Sequence, residues 1–178
     1  MEEPDPRLIR AAAAGDHDAF SELVRAWQVP VLRYLERLLG DRTVAEDVAQ
    51  EAFLRCYVHL GRYTFTGKFS TWLISIAHNA AIDAVRKRAR GDRATARLPP
   101  PRPSSDPVAR LEIAEALAAL PVKLRSALLL VEVIGLRYRE AAEVLGVPEG
   151  TVKSRVSHAR ERVVAWYASG EGESDALR

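Results

Sequence analysis

The stretch Arg137–Trp166, RYREAAEVLGVPEGTVKSRVSHARERVVAW, reads as a helix, a tight turn and a second helix. Ala141, Ala142 and Leu145 give the first helix an apolar edge. Gly146 can take the left-handed backbone that ends it, and Pro148 cannot continue it. The second helix is expected from Glu149–Thr151 onward, with Val152, Val156, Ala159, Val163 and Trp166 on one face at helical spacing. The opposite face carries Ser154, Ser157, His158 and Glu161, flanked by Lys153, Arg155, Arg160 and Arg162. Short polar groups edged by cations suit a helix in the DNA major groove, where small side chains reach base edges and Lys and Arg hold phosphates. The bland reading is an ordinary amphipathic helix with a solvated charged face. The short turn and cationic flanks favour DNA.

With 178 residues, the chain has room for one domain or two small ones, and at 48% hydrophobic it can bury a core. No apolar run approaches a membrane span, so no membrane insertion is expected, and the acidic start MEEPDP does not read as a signal peptide. The single cysteine, Cys56, excludes an internal disulfide framework and fits a reducing cytoplasm. Net charge is only +2, so DNA binding has to come from local basic stripes. There is no Gly-rich phosphate loop and no paired nucleophile and base, which argues against an enzyme; no cofactor is expected.

Around the opening stretch, the rest of the chain also reads as helical. Arg7–Ala14 is a short helix closed by Gly15. Asp16 caps a second through Leu39, with Phe20, Leu23, Val24, Trp27, Val31, Leu35 and Leu38 as its stripe; Pro30 is expected to kink or split it. In Thr43–Leu60, Ala45, Val48, Ala49, Ala52, Cys56 and Leu60 share one face, with Cys56 as a small buried hydrophobe. Cys56 and His59 could offer two metal ligands, but nothing nearby completes a set, so no metal site is expected. The other face mixes Asp47, Gln50, Glu51, Leu54 and Val58. A solvated face seldom needs Leu and Val, so this one suits a protein partner.

Arg62–Phe69 (RYTFTGKF) is a loop holding Tyr63, Phe65 and Lys68, after which Ser70 is expected to cap a long helix. Leu73, Ala77, Ala80 and Ala84 form its packing side, and Trp72, beside Leu73 and Ile76, reads as core. Ser75, Asn79, Asp83, Arg86, Lys87 and Arg90 form a second stripe that grades into a cationic end, as a helix crossing a nucleic-acid backbone would show, with the aromatic loop placed to receive unstacked bases. Arg90–Pro107 is rich in Pro, Ser and Arg and reads as a linker. Helices resume with Leu111, Ala114, Leu117 and Ala118 as one stripe, then with Leu124, Leu128, Leu129 and Ile134 after Pro121, closed by Gly135. Ser169–Arg178 reads as an acidic, frayed tail. The expected fold is all-α: two small helical domains joined by a linker, the C-terminal one a helix-turn-helix. Their expected extents are 5–90, 91–107 for the linker, and 108–168.

These segments together resemble an RNA polymerase sigma factor of the small, two-domain extracytoplasmic-function kind. AEDVAQEAFLR (Ala45–Arg55) is similar to that family's core-polymerase-binding helix, FSTWLISIAHNAAIDAVRKR (Phe69–Arg88) to its promoter-melting helix, and Leu120–Val163 to its minus-thirty-five reader. The resemblance spans roughly Ala11–Trp166 apart from the linker, with the three motifs in the family's order. It implies a specificity subunit. Asp47, Gln50, Glu51 and Leu54 would dock on the clamp helices of the largest polymerase subunits, with the polymerase flap as a further contact. Tyr63, Phe65, Lys68, Asn79, Asp83, Arg86 and Lys87 would capture the non-template strand of the minus-ten element. Thr151, Lys153, Ser154, Arg155, Ser157, His158 and Arg160 would hold and read the minus-thirty-five element. The linker would run near the active-site channel, and an anti-sigma factor would mask the protein. Two departures stand out. Arg137 sits where the reader's first helix more often has a Ser or Thr cap, so the cap must come from elsewhere, and His158 sits where arginine is frequent.

A stand-alone helix-turn-helix regulator would explain Arg137–Trp166 equally well. It gives no reason for a basic, Asn-bearing helix behind an aromatic loop in the other half. A nucleic-acid enzyme would need clustered carboxylates, and Glu46, Asp47 and Glu51 share a single helix without a His or a fourth acid nearby.

Overall fold

The computed structural model describes residues 3–64, 66–91 and 107–169, and every regular element among them is an α-helix. The N-terminal half comprises α1 (Pro6–Ala13), α2 (His17–Leu39), α3 (Arg42–Leu60) and α4 (Phe69–Gly91). The C-terminal half comprises α5 (Pro107–Ala118), α6 (Val122–Glu132), α7 (Tyr138–Leu145) and α8 (Glu149–Ala168). The expected all-α pair of helical domains is therefore the observed fold. Residues 92–106 of the expected linker, and the tail beyond Ser169, lie outside the described residues.

Local chemistry sets the helix ends. Asp16 Oδ1 accepts the amides of Asp18 and Ala19 at 2.9 and 3.0 Å, and Asp41 accepts that of Val44 at 3.1 Å, so α2 and α3 each begin on a carboxylate cap. Gly40 ends α2 at φ 69°, a conformation that costs a residue with a Cβ.

Helix α2 is the central post. Leu23, Trp27, Val31, Tyr34, Leu35 and Leu38 are buried along it, against the alanine-rich inner faces of α3 and α4. Ala45, Ala49, Ala52 and Cys56 on α3, with Ala77, Ala80 and Ala81 on α4, let the three axes approach closely. Each large apolar side chain so buried contributes about 1.5–3 kcal/mol.

Three expectations change. Helix α2 is continuous through Pro30, so the proline does not split it; the proline removes one backbone bond, but Trp27 and Val31 on either side are buried and hold both turns in place. Helix α4 starts at Phe69, so Ser70 lies inside its first turn and is not the cap. In α5, among the residues from Glu112 onward whose burial is described, Ala116 and Leu117 are buried while Ala118 of the expected stripe is exposed; the helix packs on both α8 and α2.

The halves touch. Helix α6 packs on α2 and α7 packs on α4. At the first contact Arg125 is only 2% exposed. Its Nη1 donates to the carbonyl of Leu38 at 2.8 Å, and its Nη2 to those of Ala118 and Leu120 at 2.8 and 2.9 Å. At the second, Lys68 Nζ pairs with Glu140 Oε1 at 2.7 Å.

Candidate nucleic-acid and polymerase interfaces

On α3 the inner residues Ala45, Val48, Ala49, Ala52, Cys56 and Leu60 are all buried, which leaves Asp47, Gln50, Glu51, Leu54 and Val58 on the outer face. Leu54 is 63% exposed and Val58 71%. Two branched aliphatics are thus held in water on a helix with ample buried surface elsewhere. Glu51 accepts Arg55 Nε at 2.8 Å, and Arg55 also reaches Asp83 of α4 at 3.4 Å, tying the acidic stripe to the next helix. Cys56 is inert: burial pushes its thiol up to about 12.

The loop before α4 is braced by aromatics. Phe69 is buried, and the rings of Tyr63 and Trp72 lie 5.9 and 5.8 Å from it and 5.1 Å from each other. Trp72, expected in the core, is only partly buried: one side packs on the core and another lines a cleft of about 240 Å³. Arg62, Tyr63, Thr71 and Ser75 line the same cleft, and its far wall is Glu143 and Val144 of α7. Thr71 Oγ1 is buried with no hydrogen-bond partner among the described residues. The hydroxyl of Tyr63 donates to the carbonyl of Gly67 at 2.6 Å, which closes the loop on itself. Asn79, Asp83, Arg86 and Lys87 are exposed along α4. Phe65 lies outside the described residues.

In the C-terminal half, Gly146 adopts φ 62° and turns the chain from α7 to α8. Arg137 supplies no side-chain cap; Glu140 Oε2 instead reaches back to accept the Arg137 amide at 2.8 Å. Val152, Val156 and Ala159 are buried against α6 and α7, and this turns Lys153, Ser154, Ser157 and His158 outward. Thr151 and Arg155 border this face, half-buried. Ser154 donates to the carbonyl of Thr151 at 3.0 Å and Ser157 to Glu161 at 3.1 Å, so both exposed hydroxyls keep acceptor capacity toward solvent. Lys153 pairs with Glu149 at 2.8 Å and lies 5.8 Å above the Tyr138 ring. Arg160 is drawn back to Glu132 of α6.

Among the described residues no cluster of His, Cys, Asp and Glu could hold a metal ion, and no helix is long and apolar enough to cross a membrane. Sequence reasoning missed Arg125, Glu140, Thr71 and Glu3. Glu3 accepts both the amide of Ser70, at 3.3 Å, and its hydroxyl. Two of them left a signal: Arg125 as a cation inside the apolar run LRSALLL, and Glu140 three positions after the expected cap site Arg137.

The two halves match two family models in order: Sigma-70 region 2 over residues 23–91 and Sigma-70, region 4 over 110–163. Relatives share this extent. The ECF RNA polymerase sigma factor SigW of Bacillus subtilis is 33% identical, covering 90% of this chain and 95% of its own. The ECF RNA polymerase sigma factor SigM of Mycobacterium tuberculosis is 38% identical, covering 91% and 84%. The chain belongs to the extracytoplasmic-function sigma factors of the sigma-70 family. Among solved structures, CnrH in complex with the cytosolic domain of CnrY is similar at 27% identity and TM-score 0.73, over 91% of this sigma factor and 96% of that chain. RpoE of Bartonella quintana, solved with the anti-sigma factor NepR, shares the fold at 23% identity and TM-score 0.75, over 88% and 98%. In this sigma factor the polymerase-facing and minus-ten candidates fall in region 2, and the helix-turn-helix in region 4.

Proposed function

We propose that this sigma factor binds core RNA polymerase through the outer face of α3 and directs promoter-specific initiation with its two halves reading two promoter elements. The observation that supports this most is the exposure of Leu54 and Val58 beside Asp47, Gln50 and Glu51. An apolar strip rimmed by acids suits a protein partner that offers apolar contacts and cations, as the polymerase clamp helices do in this family. Region 2, with its loop, extends over 5–90, a linker over 91–107 and region 4 over 108–168. Tyr63, Phe65 and Lys68, with Asn79, Asp83, Arg86 and Lys87, capture the unstacked non-template strand of the minus-ten element: aromatic faces stack bases and cations track phosphates. Ser154, Ser157 and His158 read the minus-thirty-five base edges, with Thr151, Lys153, Arg155 and Arg160 on the backbone. The flap contacts region 4.

The protein does no chemistry of its own and works in the cytoplasm, where the polymerase is. Control by an anti-sigma factor follows the relatives solved with such partners. The test is run-off transcription from a promoter library with purified core polymerase. Promoter-specific transcripts that require this chain are expected; sequence-specific DNA binding without polymerase, and no transcripts with it, would instead indicate a stand-alone regulator.

A further inference from the structure

An acid stands in the strand-facing stripe of α4. Asp83 is exposed between Asn79, one turn before it, and Arg86 and Lys87, one turn after. A carboxylate there repels the phosphates that its cationic neighbours would hold, unless another cation neutralises it. Arg55 of α3 reaches it. That side chain lies half-buried where α3 packs on α4, and its guanidinium forks between the two helices. Nε donates to Glu51 Oε1 at 2.8 Å and Nη1 to Asp83 Oδ2 at 3.4 Å. Arg42 makes a similar fork between Glu36 and Glu46, but neither of those acids belongs to a candidate interface.

Resting on the assignment of the α3 face to the polymerase and of the α4 stripe to the minus-ten strand, we propose that Arg55 is a positioning residue shared by the two surfaces. The polymerase, by taking Glu51, turns Arg55 to Asp83 and so readies the stripe for the strand. A guanidinium does not give up its proton in a protein, so its charge can only be redistributed among its acceptors. In the free chain the shorter bond goes to Glu51, and the longer one neutralises Asp83 only in part. A polymerase cation competes for the Glu51 oxygens; Arg55 then closes on Asp83, and the repulsion toward phosphate falls.

The coupling is reciprocal: docking favours strand capture by the same factor as the captured strand favours docking. Its size is modest. The Glu51 and Asp83 side chains are 51% and 58% exposed, where an ion pair changes an equilibrium by roughly a few-fold at most.

The test measures two affinities of the full chain. One is for core polymerase without DNA, by competition with labelled wild type. The other is that of the holoenzyme for a labelled minus-ten non-template oligonucleotide. Asp83→Asn lies on the DNA side, yet it should weaken polymerase binding about two- to threefold, because Arg55 then turns to Glu51 alone. In an Arg55→Met chain the same change should leave polymerase binding unmoved. Arg55→Met holoenzyme should bind the strand about three- to fivefold more weakly, and adding Asp83→Asn should recover most of that loss. A side chain that merely braced two helices would show neither the cross-effect nor the recovery. Glu36→Gln, which strips the same charge from the Arg42 fork, should move neither affinity. If Arg55→Met fails to fold, the exposed Asp83→Asn change still decides through polymerase binding. Wild-type polymerase affinity in Asp83→Asn overturns the sharing, as does a strand loss in Arg55→Met that Asp83→Asn does not relieve. The assignments beneath it fail separately, and either takes the inference with it. Glu51→Gln with unchanged polymerase affinity removes the docking face, and Tyr63→Ala with unchanged strand binding removes the capture surface.

Discussion

His78 shows how a single residue records its surroundings. It lies on the inner face of α4, and its Nδ1 is 2.9 Å from the hydroxyl of buried Tyr34. Burial lowers its pKa from 6.5 to about 4. The unfolded chain therefore takes up a proton near pH 6.5 that the folded chain refuses until about pH 4. Stability is whole above that window and falls as pH drops through it, by on the order of 2–3 kcal/mol. Thermal melts from pH 7 to 4.5 should show this slope. His78→Gln should flatten it while costing about 1–2 kcal/mol at pH 7 through the lost Tyr34 bond. At the reader helix, His158→Ala should relax preference at one minus-thirty-five base pair by about 1–3 kcal/mol. Lys153→Ala should instead weaken all promoters alike and lower the salt slope by about one unit. A randomised-promoter transcription screen separates the two; unchanged minus-thirty-five preference in His158→Ala would remove that residue from base reading.

Among the helices, α3 divides most cleanly into a buried and a presented face. Its inner residues are all buried and its outer ones all in solvent, so changes on the outer side should leave the fold alone. Asp47→Ala with Glu51→Ala forfeits one exposed ion pair to Arg55, worth at most about 1 kcal/mol. Co-purification with core polymerase should fall sharply in this double variant, and in Leu54→Lys, while melting barely moves. A variant that co-purifies like wild type would detach the stripe from docking. The turn between α7 and α8 behaves differently. An added Cβ at Gly146 would meet nothing within 4 Å, so Gly146→Ala tests backbone strain alone. At φ 62° the expected cost is about 1–2 kcal/mol by denaturant melt.

For the molecule as a whole, the decisive group is Arg125. Its guanidinium satisfies three carbonyls, one of them in the other half, and burial, which disfavours the charged form, lowers its pKa. Arg125→Ala removes the donor from those carbonyls, two of them in buried bonds, at a cost of roughly 3 kcal/mol. It should also make unfolding less cooperative, region 4 melting ahead of region 2, as calorimetry would resolve. A single transition at the wild-type temperature would show the contact to be idle.

The local facts were legible in the sequence. Asp16 as a cap, the inner and outer faces of α3, and the Gly146 turn all depend on residues within a few positions of one another, where helical period and capping chemistry suffice. Glu140 as the cap for Arg137 also obeys a three-residue rule, but Arg137 drew attention to its own unsuitable side chain. Pro30 does not split α2 for a tertiary reason: the packing of Trp27 and Val31 outweighs one lost hydrogen bond. The partners of Arg125, Lys68 and Ser70 could not be read, because Leu38, Glu140 and Glu3 lie 87, 72 and 67 positions away. No periodicity carries across such a distance; only the docking of α6 on α2 and α7 on α4 brings a buried cation to a helix end and a carboxylate to the loop before α4.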